Sequence, residues 1–454
     1  MPMRLARLVD ALAPVEIVNR ADVEISDLAY EPARVRLGAL FFCIRGSRVD
    51  GHDLAPAAVE AGAAALVGER ALDLPVPQLR VESVRAAMPA AASLFFGQPS
   101  HALEIAAITG TNGKTTTAFL LHAILEAAGR QAALLTNIER RVGGERQPLG
   151  LNTPEAIDLQ RLFRRMLDAG DRSCVMEATS IASAQGRLAE TRFAVLVFTN
   201  LTQDHLDFHG TMEEYFDAKR RLFAQAERAV VNVGDEWGRR LAAELPHAVT
   251  FTPEDDLGGI EPRLRGRFNR ANTLAAVLAA RELGVDEDAI RAGVASLAGV
   301  PGRFEEVDEG QPFAVVVDFA HTPDSLENVL RAARELGDGR LIVVFGAGGD
   351  RDRNKRPLMG RAARSLADRA IVTTDNPRSE DPAAIAAEVA EGRLEIVLDR
   401  RAAIEAAIGD ARPGDVVVIA GKGADTEQEL AHGAVPFDDR VVARESLRRR
   451  PVPA

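Results

Sequence analysis

The stretch Thr109-Gly110-Thr111-Asn112-Gly113-Lys114-Thr115-Thr116-Thr117 constrains this chain more than any other. It follows an apolar run, Ile105 to Ile108, and opens an apolar-periodic one that places Leu120, Leu121, Ile124 and Leu125 on one helix face before Gly129 ends it. A strand turning into a helix over such a loop is a cradle for a nucleotide phosphate. Its glycines let backbone N–H groups turn in on an anion, and the helix N-terminus adds its positive end. Lys114 offers a point charge and Thr115 a hydroxyl to Mg²⁺. The spacing is the short G-x-x-G-K-T form; in G-x-x-x-x-G-K-[ST] the first glycine would fall at Ile108. The competing reading is a glycine-rich turn with a solvated lysine, and the flanking strand and helix weigh against it.

A chain of 454 residues is too long for one core, and predicts roughly two to four domains. With 46% hydrophobic, 27% charged and 5% aromatic residues, it reads as a globular protein packed mainly through aliphatic side chains. A net charge of −12 disfavours nucleic acid as a partner while leaving room for a local basic phosphate pocket. Cys43 and Cys174 lie far apart without metal-ligand neighbours and read as free thiols in a reducing compartment. Met1 to Asp10 is short and amphipathic, and no apolar run reaches the roughly 18 residues of a membrane span. The expectation is a cytoplasmic monomer.

The segment up to Glu104 reads as a small α/β unit, with strands at Ala39 to Ile44 and Ala63 to Val67 around a helix at Ala57 to Ala61. The phosphate loop begins a larger segment with strands at Ser173 to Met176 and Ala194 to Phe198, and helices near Ile157 to Leu167 and Thr211 to Ala224. A third block starts near Pro301. Strand candidates recur there at Phe313 to Val317, Leu341 to Phe345, Ala370 to Thr373, Glu395 to Leu398 and Val416 to Ile419. With helices between them, they predict a doubly wound, mainly parallel sheet whose strand-end loops converge on one cleft. Arg448-Arg449-Arg450-Pro451 reads as a solvated end.

Several constellations could carry chemistry. Glu177 follows the strand at Val175-Met176, and His205 sits in Asp204-His205 after Val195 to Phe198. A carboxylate and an imidazole at that sheet edge could hold Mg²⁺, although imidazole is an uncommon ligand for it. Glu177 reads equally as a helix-start carboxylate and His205 as a loop histidine; spacing leaves both open. Lys219, beside Tyr215, Phe216, Leu222 and Phe223, reads as one member of a solvated basic face. Arg303, Asp318 and His321 cluster in the third block. Asp318 could accept ribose hydroxyls while Arg303 neutralises phosphate, or either could join an ordinary ion pair. The runs Gly346 to Arg356 and Asp375-Asn376-Pro377-Arg378-Ser379-Glu380-Asp381-Pro382 follow strands directly, and so much charge at a strand end suggests service to a ligand. Arg378 is the natural bidentate partner of a substrate carboxylate. Gly421-Lys422-Gly423-Ala424-Asp425 is a further glycine-rich loop.

Taken in order, these motifs resemble the Mur ligases, the ATP-dependent amide-forming enzymes of peptidoglycan precursor synthesis, and within them the MurE-type branch that adds the third residue of the stem peptide. The matching segments cover nearly the whole chain. They include Asp50-Gly51-His52, Thr109 to Thr117, Thr153-Pro154-Glu155, Met176-Glu177, Gln185-Gly186-Arg187 and Phe198-Thr199-Asn200 through His205. They continue through Ala218-Lys219, Asn269 and Asn272, Gly302-Arg303, Ala320 to Asp324, Gly348 to Asp352 and Asp375 to Arg378.

The resemblance implies an α/β protein of three domains: a UDP-sugar-binding domain over 1–104, a central ATPase over 105–300 and a Rossmann-like amino-acid-binding domain over 301–454. It implies ATP contacts at Gly110, Thr111, Asn112, Gly113, Lys114, Thr115, Thr116, Asn269, Arg303, Asp318 and His321. It makes Thr115, Glu177 and His205 Mg²⁺ ligands, and Lys219 the lysine that the family carbamylates with CO₂ to position a second Mg²⁺. Asn152, Thr153, Ser180, Gln185 and Arg187 correspond to contacts with UDP-N-acetylmuramoyl-L-alanyl-D-glutamate. Asp375, Asn376, Pro377, Arg378, Gly421 and Asp425 correspond to contacts with the incoming amino acid, Arg378 selecting meso-diaminopimelate over lysine.

Three segments depart from the family pattern. Its Asp-Ser-Arg near uridine is Glu31-Pro32-Ala33, its Ser-Ser-His-Ala is Thr179-Ser180-Ile181-Ala182, and its Gly-Lys-Gly-His-Glu ends here in Ala424-Asp425 with a shorter acidic arm. The alternatives to a diaminopimelate-adding ligase are a ligase for another carboxylate and amine, or a noncatalytic nucleotide- or precursor-binding protein.

Overall fold

The computed structural model describes residues 2–46, 49–148 and 150–450. Main-chain packing draws two compact units, residues 1–107, 130–196 and 218–228 in one and 108–129, 197–217 and 229–454 in the other. Among the described residues no helix is long and apolar enough to cross a membrane.

The amino-terminal sheet has five strands in the order Glu16–Val18, Gln78–Arg80, Ala63–Gly68, Ala39–Phe42, Asp27–Ala29, parallel except for the first pair. Ala39, Leu40, Phe41 and Phe42 are all wholly buried, as in a parallel strand covered on both faces. Leu40 and Phe42 pack with Leu8 and Leu12 of the helix Leu5–Leu12 and with Val84 and Met88 of Val84–Phe95. Phe41 and Cys43 instead meet Ala55 and Ala58 of the helix Ala55–Glu60. This alternation is the period of a strand, and it produces the expected small α/β unit.

A second sheet has eight strands in the order Glu145–Arg146, Arg140–Val142, Ala132–Leu135, Ser173–Glu177, Glu104–Thr109, Val195–Phe198, Ala229–Asn232, Val249–Phe251. The strand Glu104–Thr109 and the helix Lys114–Ala127 flank the phosphate loop, and Gly129, at φ +70°, ends the helix. That helix is more than one-faced. Besides Leu120, Leu121, Ile124 and Leu125, it buries Thr115 to Phe119 and His122, because the helices Arg267–Glu282 and Glu287–Ser296 also pack on it. Gly293 permits the approach, since a Cβ there would lie 2.4 Å from the Cα of Ile124.

The third sheet has the order Glu305–Glu306, Ala314–Asp318, Val416–Ala420, Leu341–Phe345, Arg369–Val372, Glu395–Ile396, parallel but for its first edge strand. The last strand in sequence lies between the second and fourth in space, so the order reverses there. Such a switch point opens a crevice at the carboxyl ends of the strands. No apolar run signals the edge pair or the hairpin Glu427–Leu430 with Gly433–Pro436, because both are short and largely exposed.

The charged run after Phe345 is paired with carboxylates from later segments of the third block. Arg356, wholly buried, donates from Nη1 to Glu380 Oε2 (3.0 Å) and Glu388 Oε2 (2.8 Å), and from Nη2 to Glu380 Oε1 (2.8 Å). The Arg356 hydrogen bonds hold the Glu380 carboxyl down from 4.5 to about 2. A lowered folded pKa gives a stabilisation that is complete above the unfolded value and lost as pH falls through the folded one. Urea unfolding of wild type and Glu380→Gln is therefore expected to differ by about 1–3 kcal/mol at neutral pH. The two should converge as pH falls from 4.5 toward about 2; a constant difference across that window would contradict the assignment.

Arg448 and Arg449 are exposed, as a solvated end requires, but Arg450 is half-buried and the tail is tethered. Arg448 pairs with Glu309 at 2.9 Å, while Arg450 lies 4.7 Å from the Phe313 ring centroid and donates to the Ile408 carbonyl at 3.1 Å. An aromatic face and helix-end carbonyls suit a guanidinium better than water alone. Pro451 lies outside the described residues.

Candidate active site

The phosphate loop takes its shape from glycines and a brace. Gly110 and Gly113 have φ of +142° and +87°, and a Cβ would fall 1.9 Å from Thr199 Oγ1 at the first and 2.2 Å from Asn272 Oδ1 at the second. The motif Thr199-Asn200 wraps the turn. The N–H of Thr111 donates to the Asn200 carbonyl (2.9 Å), the N–H of Asn112 to Asn200 Oδ1 (2.9 Å), and Thr199 Oγ1 to the Asn112 carbonyl (2.7 Å). Asn272 donates to Asn269 Oδ1 (3.1 Å), which makes Asn269 part of the same brace. Lys114 Nζ donates to the carbonyls of Gly110 (3.0 Å) and Thr111 (2.8 Å). Thr115 and Thr116 are buried in the first helical turn. Positive-φ glycines at a helix start with a lysine folded over them fit a polyphosphate, and this structure provides both.

The third sheet delivers side chains to this loop. Arg303 Nη2 donates to Thr115 Oγ1 at 3.2 Å, its guanidinium 4.3 Å from the Phe319 ring centroid. Asn112 Nδ2 donates to Asp324 Oδ2 at 2.8 Å. Asp318 ties two segments together, taking the N–H of Phe304 (2.6 Å) and of Ala320 (2.7 Å) on its two oxygens. Burial pushes the Asp318 and Asp324 carboxyls up.

His205 is the residue before the short helix Leu206–His209 and sits at φ +55°, a left-handed conformation rarely kept by a side-chain-bearing residue without a constraint. Its Nε2 lies 3.4 Å from Asp204 Oδ2, with His321 Nε2 at 3.7 Å from the same oxygen and Lys355 Nζ 3.5 Å from Oδ1. Although burial opposes it, the His321 hydrogen bond, together with the neighbouring His205 and Lys355, holds the Asp204 carboxyl well below the usual range. Asn200, Asn272, Asp324, Asp204 and Lys355 were not expected as site residues. All sit within or beside motifs already read, and the polar side chain next to a recognised one was the available signal.

In the other unit, Glu177 ends the strand Ser173–Glu177 and is 1% exposed. It is not a helix-start carboxylate, because Thr179 caps the helix Ser180–Ala184. Asn152 Nδ2 donates to Glu177 Oε2 at 3.1 Å, and Thr153 Oγ1 to the Glu177 carbonyl at 3.0 Å. Arg187 donates to the Thr153 carbonyl at 3.1 Å and lies 3.1 Å from Glu155. Ser180 is buried beside the cap. Asn152 Oδ1 and Gln185 Oε1 are buried without a partner, a condition that a polar ligand relieves. Asn152, Thr153, Ser180, Gln185 and Arg187 thus share one unit.

Lys219 is 1% exposed, so the solvated basic face expected from its neighbours is incorrect. It is on the helix Met212–Arg220, and Tyr215, Phe216 and Ala218 are buried with it. The expected metal donors divide between the units, Glu177 and Lys219 in one, Thr115 and His205 in the other. Among the described residues no three His, Cys, Asp or Glu side chains gather as a metal site. Cys43 and Cys174 are buried free thiols, and burial pushes Cys43 up to about 12.

The loops after the strands Arg369–Val372 and Val416–Ala420 meet. A Cβ on Gly421 would lie 2.3 Å from Asp375 Oδ2, a buried carboxylate oxygen with no hydrogen-bond partner. Arg378, at φ +52°, donates from Nε to Glu429 Oε2 (2.6 Å) and from Nη1 to the Gly349 carbonyl (2.8 Å). Asn376 Oδ1 takes the N–H of Glu429 at 3.0 Å, and Pro377 is buried between these residues in sequence. Burial pushes the Asp425 carboxyl up, opposed by Lys422.

A phosphate loop braced at a sheet edge, joined by an arginine from a doubly wound sheet with polar strand-end loops, defines a nucleotide-dependent α/β enzyme. The chain belongs to the Mur ligase family, and it is an ATP-dependent acid–amino-acid ligase. Residues 24–96 match the Mur ligase family catalytic domain, 108–257 the Mur ligase middle domain and 302–423 the Mur ligase glutamate ligase domain, in keeping with the expected three-domain architecture. It is 42% identical to a UDP-N-acetylmuramoyl-L-alanyl-D-glutamate–2,6-diaminopimelate ligase of Geobacillus kaustophilus, over 99% of this chain and 100% of the relative. To the protein of the same name from Solibacter usitatus it is 45% identical, over 94% of each. A solved structure of a ligase with that name superposes with a TM-score of 0.68 at 30% identity, covering 99% of both chains. The fold also matches MurF ligase from Thermotoga maritima in complex with ADP, with a TM-score of 0.62 at 21% identity over 93% of this chain and 96% of that one.

Proposed function

We propose that this ligase joins meso-diaminopimelate to the D-glutamyl γ-carboxylate of UDP-N-acetylmuramoyl-L-alanyl-D-glutamate, at the expense of ATP, in peptidoglycan precursor synthesis. The observation that carries the reading is Arg378. Its guanidinium is held by Glu429 and the Gly349 carbonyl, on the same strand-end loop as Asp375, whose Oδ2 is buried without a hydrogen-bond partner. A fork for a carboxylate beside an acceptor for an ammonium suits a diamino-dicarboxylic acid better than lysine. The near-full-length identity to ligases of that name supports the same substrates.

The γ-carboxylate attacks the terminal phosphorus of ATP, forming an acyl phosphate and ADP; the amine then attacks the acyl carbon through a tetrahedral intermediate and expels phosphate. Both steps bring anions together, so the chain mainly supplies charge neutralisation and alignment. Lys114 and the loop Gly110 to Thr116 around it hold the phosphates, and Arg303 adds a second cation. Asn269 steadies the loop through Asn272, while Asp318 and His321 line the nucleotide side. Asn152, Thr153, Ser180, Gln185 and Arg187 hold the nucleotide-sugar peptide, and Asp375, Asn376, Pro377, Arg378, Gly421 and Asp425 the amino acid. Thr115 and His205 in one unit and Glu177 in the other would serve as Mg²⁺ ligands, and a carbamylated Lys219 would position a second Mg²⁺; the ions would supply neutralisation of phosphate oxygens. The buried Glu177 carboxylate, with the unpartnered Asn152 Oδ1 on the side chain hydrogen-bonded to it, offers oxygen donors to such an ion. Domain limits of 1–104, 105–300 and 301–454, a cytoplasmic location and a monomeric state complete the reading.

ADP release with UDP-N-acetylmuramoyl-L-alanyl-D-glutamate plus meso-diaminopimelate, lysine or no amino acid tests it. Turnover is expected with diaminopimelate alone. Folded protein that shows none, or prefers lysine, would sink the reading.

A further inference from the structure

Two wholly buried cations, neither among the expected ligand contacts, stand behind the loops Asp375 to Arg378 and Gly421 to Asp425. Arg400 begins the helix Arg400–Asp410 and Asp439 begins Asp439–Arg449. Their side chains are both 0% exposed and pair twice, Nε to Oδ1 at 2.7 Å and Nη2 to Oδ2 at 2.6 Å. The same guanidinium donates from Nη2 to the Ala420 carbonyl (3.0 Å) and from Nη1 to the Thr374 carbonyl (3.4 Å). Those carbonyls belong to the residues just before Gly421 and Asp375. Lys422 repeats the device: its Nζ donates to Asn376 Oδ1 (3.0 Å) and to the Glu427 carbonyl (2.6 Å).

A buried arginine–aspartate pair is a poor way to gain stability, since apolar side chains of similar volume often serve as well. What an apolar pair lacks is directional donors that reach two carbonyls on separate loops. We infer that Arg400, oriented by Asp439, is a positioning residue of the amino-acid site. It sets the separation of the two loops at their roots, and with it the aim of Asp375 and Arg378. Lys422 holds the same loops at a second point. The inference rests on the reading of these loops as the amino-acid site.

The test compares wild type, Arg400→Met/Asp439→Leu, Arg400→Lys, Lys422→Met and Arg378→Ala, all full length. It reads KM for meso-diaminopimelate, KM for ATP, ATP–ADP exchange without amino acid, and the melting temperature. The apolar double variant should melt close to wild type, with KM for diaminopimelate raised about tenfold or more by the displaced loops. ATP KM and exchange should stay within about twofold. Arg400→Lys, which keeps the charge but lacks the planar fork, should raise the same KM, and it decides the matter together with Lys422→Met if the double variant does not fold. Unchanged diaminopimelate KM in the folded variants, or equal loss of every parameter, overturns the inference. Arg378→Ala separates the two levels. If it leaves diaminopimelate KM unchanged, the site reading itself fails; if it raises that KM while the Arg400 variants do not, only the positioning role fails.

Discussion

Lys114→Met is expected to leave a folded protein whose turnover falls on the order of a thousandfold, the loss typical of removing one preorganised group from developing charge. Methionine keeps most of the stem volume and removes only the ammonium. The structure explains why nothing nearby substitutes. Lys114 Nζ lies over the Gly110 and Thr111 carbonyls, within the curve of the loop, whereas Arg303 is engaged with Thr115 Oγ1. Steady-state ADP release with all three substrates measures the effect, and a thermal melt matching wild type establishes the fold. A variant that keeps a tenth or more of wild-type turnover would show that the ammonium does not meet the transferring phosphoryl group.

The second large effect falls on amino-acid recognition. Arg378→Ala should raise KM for meso-diaminopimelate about tenfold to a hundredfold, as expected for losing a charge-assisted carboxylate contact, and leave KM for ATP nearly unchanged. The sign is reinforced by Glu429, which pairs with Arg378 Nε at 2.6 Å; without its partner it would repel the incoming carboxylate. Arg378→Lys should recover part of the loss, because an ammonium retains charge without the bidentate fork. Substrate-saturation curves in each component decide it. Equal weakening of ATP and diaminopimelate would contradict the assigned role.

Much of the fold is legible in the chain because its parallel strands are buried on both faces and read as short unbroken apolar runs. Leu341 to Phe345 is such a run, and it is the strand observed. The edge pair at Glu305–Glu306 and the hairpin at Glu427–Leu430 are not legible: edge strands are half-solvated, and their pairing is decided by partners distant in sequence. Helix amphipathicity misleads for the same reason at Lys114–Ala127. Its polar first turn is buried because two later helices cover it, and nothing local announces them. The site follows this division. Gly110, Gly113, Lys114 and Thr115 are adjacent, so their joint task is readable. Lys219 is read wrongly because a basic neighbourhood ordinarily means a solvated face, and only packing shows it to be 1% exposed.

By itself, then, the sequence determined what depends on neighbours along the chain: a phosphate loop between strand and helix, the run of parallel strands, and the ordered motifs that define the family. Tertiary structure alone decided what depends on approach. Asn200 and Asn272 brace the loop, Asp204 gathers two histidines and a lysine, Arg356 pairs its charged run with Glu380 and Glu388, and Arg400 ties together the roots of two loops. The physical reason is that local propensity and periodicity act over a few residues. The desolvation and pairing of a charge depend on whichever groups the fold brings within hydrogen-bonding distance.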